Sequence, residues 1–240
     1  MRKLLYLLIA MPLFVLSQNK TLVTVDRIFP KVDKIQAFEK ALAAHAQKFH
    51  KGDNKWRVYT IQTGPDAGGY HIVEGPMTWD GLDKRGDLGP AHLADYNTNI
   101  APLLTEKSSS IYALYREDLS SVQVSDYSDK IAITHIFSKP GYSEEIEDLI
   151  KKLKKTWQAS NQSVAVYELS SSGAPEMSIV TRYKDGLKER EPGFRTPLKE
   201  RFNAANGDGS WSGYQTSIKN AVDHSWSEML FYEKKLSSTN

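Results

Sequence analysis

Six histidines and no cysteine set the chemistry open to this chain of 240 residues. Without thiols there is no disulfide, no thiol nucleophile and no cysteine-held zinc or iron–sulfur centre. Proton transfer then falls first on the imidazoles, whose charge changes near neutral pH. No HExxH, GxSxG, Walker or GxGxxG motif is present. His45 and His50 stand five apart, whereas two ligands on one helix face stand three or four apart, so no metal site is expected. The residues that stand out as binding candidates are Arg27, His45, Tyr59, His71, Trp79 and His135. Their case rests on the elements that position them.

Those elements are written twice. Ile72-Val73 and Asp80-Gly81-Leu82-Asp83-Lys84-Arg85 return as Ile179-Val180 and Asp185-Gly186-Leu187-Lys188-Glu189-Arg190. Ile28-Phe29-Pro30-Lys31 matches Ile136-Phe137-Ser138-Lys139, and Val58-Tyr59 matches Val166-Tyr167. A nearly constant offset through separate segments marks one unit repeated. In the first copy, alternation predicts strands at 21–29, 56–61, 70–74 and 110–117. Ile35, Phe38, Leu42, His45 and Phe49 fall at helical spacing after the first strand. A broken helical region spans 78–105. The second copy predicts strands at 130–137, 163–169, 176–183 and 225–233. Its first helix carries the stripe Ile146, Leu149, Ile150, Leu153 and Trp157. Each copy therefore reads βαββαβ.

The expected organisation is a signal peptide at 1–17, a first repeat at 18–118, a polar linker at 119–129, a second repeat at 130–236 and a disordered tail at 237–240. Arg2-Lys3 followed by the apolar run 4–16 carries the signal-peptide reading, and the run is shorter than the roughly 20 residues of a membrane span. The protein is thus expected to be exported, periplasmic or extracellular, with no membrane span once the leader is removed. Arg2 and Lys3 account for the whole formal net charge of +2, so the remainder is neutral. A neutral chain without a basic cluster argues against nucleic acid as a partner.

Aligning the copies isolates the unusual positions. Val23, Val25, Arg27 and Phe29 share one strand face and match Ile131, Ile133, His135 and Phe137. This more apolar face is expected to lie under the helices. His45 stands where the second copy has Leu153, and His71 where it has Ser178. The reading is that Arg27 and His45 line a pocket between sheet and helices in the first copy, with His71 toward a barrel interior. Tyr59 and Tyr167 pair across the copies, which favours a structural role. Trp79 is expected at a sheet edge, Trp56 likewise, and Asp26 at a solvent or barrel-rim position.

Two βαββαβ units of this size resemble the dimeric α+β-barrel superfamily, which includes cofactor-free antibiotic-biosynthesis monooxygenases and NIPSNAP-like proteins. The carriers are the two strand–helix junctions, the two first helices and Trp79-Asp80-Gly81-Leu82. The resemblance implies an α+β fold: two tandem ferredoxin-like repeats closing an intramolecular barrel, a pseudo-dimer within one chain, with further homo-oligomers left open. Physics agrees, because a sheet with helices on one side has a bare second face to bury.

Three functions follow. The first is an exported protein binding a small, largely apolar ligand between sheet and helices, with no cofactor. The second, implied by the resemblance, is a cofactor-free oxygenase or isomerase in which Arg27 steadies an anionic intermediate and His45 moves a proton. The third is a haem protein with His135 or His224 as axial ligand.

Overall fold

The computed structural model describes residues 20–170 and 174–239; the expected signal peptide lies outside the described residues. The first repeat runs β1 (Leu22–Pro30), α1 (Ile35–Phe49), β2 (Trp56–Ile61), β3 (Tyr70–Met77), α2 (Trp79–Arg85), α3 (Pro90–Asp95) and β4 (Leu104–Tyr115). The second runs β5 (Lys130–Ser138), α4 (Ser143–Ala159), β6 (Val164–Leu169), β7 (Glu176–Arg182), α5 (Leu198–Asn206), α6 (Ser210–Ala221) and β8 (Val222–Tyr232). The eight strands close into one antiparallel barrel in the order β1-β3-β2-β8-β5-β7-β6-β4. Each repeat supplies four strands. Two short seams join the repeats: β2 to β8 at Tyr59, Thr60 and Ile61, and β4 to β6 at Ala113, Leu114 and Tyr115. Closure removes the free strand edges that an open sheet would leave.

Alternation along β1 decides the layers. Val23, Val25 and Arg27 point into the barrel with Ile131, Ile133 and His135 of β5, while Ile28 packs outward with Phe38 and Leu42 of α1. This reverses the expected assignment, which put the more apolar face under the helices. The physical reason is that a closed barrel buries both faces. Its interior collects branched residues from both repeats, and the helix-facing side of β1 also carries Thr24 and Asp26. Hydrophobicity alone therefore chose the wrong face.

The helical stripes appear as the spacing predicts, except that Ile35 at the start of α1 is exposed. Phe38, Leu42, His45 and Ala46 are the buried face of α1. Ile146, Leu149, Ile150, Leu153 and Trp157 are buried on α4, where they join Phe202, Tyr214 and Ala221 in a hydrophobic core. Ser143 begins α4 but makes no side-chain cap; its hydroxyl meets that of Ser138 at 3.3 Å. β3 continues through Gly75-Pro76 to Met77, past its expected end at Glu74.

Two segments that read as solvated are packed. In the linker, Leu119 is fully buried, and Val122 and Val124 lie against the barrel core. Arg182 donates to the carbonyls of Gln123, Val124 and Asp126, which fixes the linker across one barrel end. At the C-terminus, expected to be disordered, Ser237 is fully buried. Its hydroxyl accepts from the backbone N–H of Val58 at 3.0 Å, and that of Ser238 accepts from the N–H of Trp56 at 2.9 Å.

Candidate functional site

The expected site residues separate into two places. Arg27, Tyr59, His71 and His135 all line the barrel interior. His45 lies on the opposite side of the sheet, on the buried face of α1, so the expected Arg27–His45 pocket does not form. Trp79 is 45 % exposed, edge-on to Tyr112, and belongs to neither place.

Inside the barrel the polar groups are mutually committed. Arg27 of the first repeat pairs with Glu228 of the second and donates to Asp66 at 2.7 Å. His135 lies between Glu176 at 2.5 Å and Glu228 at 3.0 Å, stacked on Trp226. Burial opposes charge on His135, but the hydrogen bonds to Glu176 and Glu228 outweigh it and raise its pKa. Both its nitrogens are occupied, so His135 has none to offer a haem iron. His224 is exposed, with Nδ1 on Asp223, and lies outside the barrel interior. His71 is held neutral by burial, its pKa well below the usual imidazole value, and its Nδ1 has no partner. Burial likewise pushes the phenol of Tyr59 upward. The enclosed space is about 70 Å³, small beside the roughly 300–1,000 Å³ of small-molecule pockets. The barrel interior reads as a charged seam between the repeats.

Under the helices of the first repeat the arrangement differs. α1 ends at Phe49, and His50 leaves the helix with φ −98° and ψ 90°. That turn brings its ring back beside His45, which a continuous helix would have prevented. α3 starts with Pro90, whose missing N–H is no loss at a helix start, and supplies His92. The three rings form a nearly equilateral triangle, with centroids 5.3, 4.8 and 5.2 Å apart. His45 and His50 are fully buried.

Carboxylates back two of the three rings. His45 Nδ1 meets Asp95 Oδ2 at 2.8 Å. His50 Nδ1 meets Glu74 Oε2 at 3.1 Å and the Asn54 carbonyl at 3.2 Å. Facing only acceptors, both Nδ1 atoms carry the proton and both Nε2 atoms keep a lone pair. Burial lowers the pKa of both rings despite these acceptors. Burial also disfavours the ionised form of Glu74, but hydrogen bonds from His50 and Arg85 prevail and lower its pKa. Trp56 Nε1 donates to the same carboxylate at 2.7 Å, and its indole stacks on His50 at 3.5 Å. Trp56 thus belongs to the cluster and not to a sheet edge.

His92 faces this cluster and also a pocket of about 330 Å³ between sheet and helices. Ile28, Ile72, Trp56, Leu93 and Tyr96 give the pocket apolar walls. Asp26 and Arg85 border it, so Asp26 lies under the helices and not at the solvent or barrel rim. Burial raises the Asp26 pKa against the hydrogen bond from Ser110. A buried polar atom without a partner costs about 1–3 kcal/mol. His45 Nε2 and His92 Nδ1 are two such atoms in this cluster.

Spacing along one helix face leaves out both His50, which lies beyond the end of α1, and His92. The available signal is that these histidines crowd into the first repeat, where the second has Leu153 opposite His45. The rule for one helix face does not apply to a residue beyond the helix end.

The architecture has solved counterparts. A candidate monooxygenase from Lactobacillus acidophilus NCFM superposes with TM-score 0.55 at 11% identity, over 91% of this chain and 96% of that one. An anthrone oxidase-like protein gives 0.54 at 14%, over 90% and 92%. A chlorite dismutase variant from Candidatus Nitrospira defluvii gives 0.53 at 8%, over 92% and 94%. The chain has the fold of the dimeric α+β-barrel superfamily, built here as one polypeptide. No family model and no curated protein matches the sequence.

Proposed function

We propose that the protein binds a small, largely apolar molecule in the pocket between sheet and helices of its first repeat. The carrying observation is that pocket of about 330 Å³ with apolar walls and His92 at its border. Its size falls in the ligand-binding range, and a few polar groups among apolar walls is the usual composition of such sites. Export to the periplasm or beyond belongs to the same proposal and rests on residues 1–17; a native N-terminus at Met1 would refute it.

Native mass spectrometry of the purified protein should show a copurifying small molecule. Ser108, exposed on β4 beside the pocket, offers a way to fill it. Ser108→Trp is expected to lose that molecule with the melting temperature unchanged. Retention by a folded Ser108→Trp protein would remove the pocket from consideration.

A second reading, turnover of the ligand by cofactor-free oxygenation, draws on the neighbours described as monooxygenase and anthrone oxidase-like. Arg27 and His45 do not share a site, so their expected partnership is withdrawn. His92, with Nδ1 unpartnered, is the base this reading would use. Oxygen uptake with a polyphenol, lost in His92→Ala, supports turnover; no uptake leaves binding alone.

A further inference from the structure

The tautomers at the histidine triangle leave a problem that protein atoms do not solve. His50 Nε2 and His92 Nε2 are 3.3 Å apart. A proton on His92 Nε2 would join them, yet His45 Nε2 and His92 Nδ1 would still be buried without partners. Two carboxylate-backed rings present lone pairs toward one another and toward a third ring. One ligand nitrogen from each histidine lies within 4.8 Å of the others.

The shortest of those distances suits an ion. Zinc–imidazole bonds of about 2.0–2.1 Å in tetrahedral geometry place ligand nitrogens about 3.3–3.4 Å apart. The His50–His92 separation already has that value. Metal-ligating histidines usually give their other ring N–H to a carboxylate or carbonyl, which fixes the ring and strengthens the ligand. His45 with Asp95, and His50 with Glu74 and Asn54, have that partner in place. All-imidazole ligation favours zinc, copper, iron or nickel over magnesium or calcium.

We propose that His45, His50 and His92 bind a divalent transition-metal ion of the zinc class, with Asp95 and Glu74 orienting two of the rings. Three protein ligands leave a position for water or for a donor atom of a bound molecule. His92 belongs both to the triangle and to the pocket wall, which couples the ion to the ligand reading above. The metal site does not depend on that reading.

The test uses the full chain without a histidine tag, stripped by chelator and titrated with Zn²⁺ and Co²⁺. One equivalent per chain is expected, with the visible absorption of low-coordinate Co²⁺. His45→Leu and His92→Ala should abolish uptake while circular dichroism reports a folded protein. Asp95→Ala should weaken Zn²⁺ binding by roughly 10–100-fold. Should His45→Leu fail to fold, His92→Ala, at a half-buried position of a short helix, carries the test. Absence of saturable uptake by the wild type, or full uptake by folded His92→Ala, overturns the proposal. Probing the metal-free wild type with the copurified compound separates the two readings: binding without metal uptake keeps the pocket and discards the ion.

Discussion

The same sheet-to-helix layer is built in two ways in one chain. In the second repeat it is an apolar core of Ile146, Leu149, Ile150, Leu153, Trp157 and Phe202. In the first repeat it holds Phe38, Leu42 and Ala46, then turns into His45, His50, His92 and their carboxylates. Because the strand order and first helices are shared, the fold does not require the polar version. The second repeat shows that Leu153 serves where the first uses His45. Burying polar groups is costly unless they are partnered, so the difference is what favours the first repeat for the proposed site.

The largest expected effects test what holds the two repeats in their places. Phe202 is fully buried, and Phe202→Ala should cost about 3–5 kcal/mol in urea unfolding. The copurified ligand and metal uptake should survive under native conditions. A loss of metal from the folded variant would show that the second repeat is no mere packing unit. Arg27→Met should approach that size, up to about 3–5 kcal/mol, because it leaves the fully buried Glu228 with His135 as its remaining partner. Adding Glu228→Leu should recover most of that loss. A double variant as weak as the single would mean that the cross-repeat ion pair is not the cause.

Smaller effects follow from protonation. Burial lowers the pKa of His71 in the first repeat. Below about pH 6.5 the unfolded chain binds a proton there that the folded chain does not, so stability is lost on acidification. His135 of the second repeat is raised. Its contribution is fully present below about pH 6.5 and is lost as pH rises through its folded value. Each group contributes a slope of at most about 1.4 kcal/mol per pH unit. His135→Gln should flatten the alkaline limb, and His71→Phe should flatten part of the acid limb. Unchanged limbs in melts across a range of about pH 5–9 would show that these groups do not distinguish the repeats. The smallest effect is expected from His45→Leu, which copies the second repeat. Stability of metal-free protein should change by less than about 1 kcal/mol, since leucine removes the buried, unpartnered Nε2 while Asp95 keeps Asn99 and contact with solvent. Zn²⁺ uptake should be lost, and uptake retained by a folded His45→Leu protein would remove His45 from the proposed metal site.

The repeat was legible because helix stripes and strand alternation are local patterns. Tyr70 and Trp56 begin strands where the turn residues before them say so, and the spacing of Phe38 and Leu42 predicts their buried face. The first repeat was also legible as the special one, from His45 against Leu153. Which face of β1 turns inward was not, because closure buries both faces and only the pairing of strands distant in sequence decides it. Nor was the histidine triangle. It needs His50 to leave α1 at one angle and α3 to dock against it, and neither follows from residue spacing. Arg27 looked like a site residue because its partner Glu228 is 201 positions away.

The clasp at the C-terminus bears on how the protein is made. Trp56, beside the histidines, donates its backbone N–H to a serine 182 positions later, and β2 has β8 as its neighbour on the side away from β3. At about 5–20 residues per second, β2 waits roughly 10–35 s for its last neighbours to be synthesised. Throughout that interval β2 presents an unpaired edge, the feature on which chains join wrongly. The repeat synthesised earlier is therefore completed only when the residues that follow the second repeat's helices close over it.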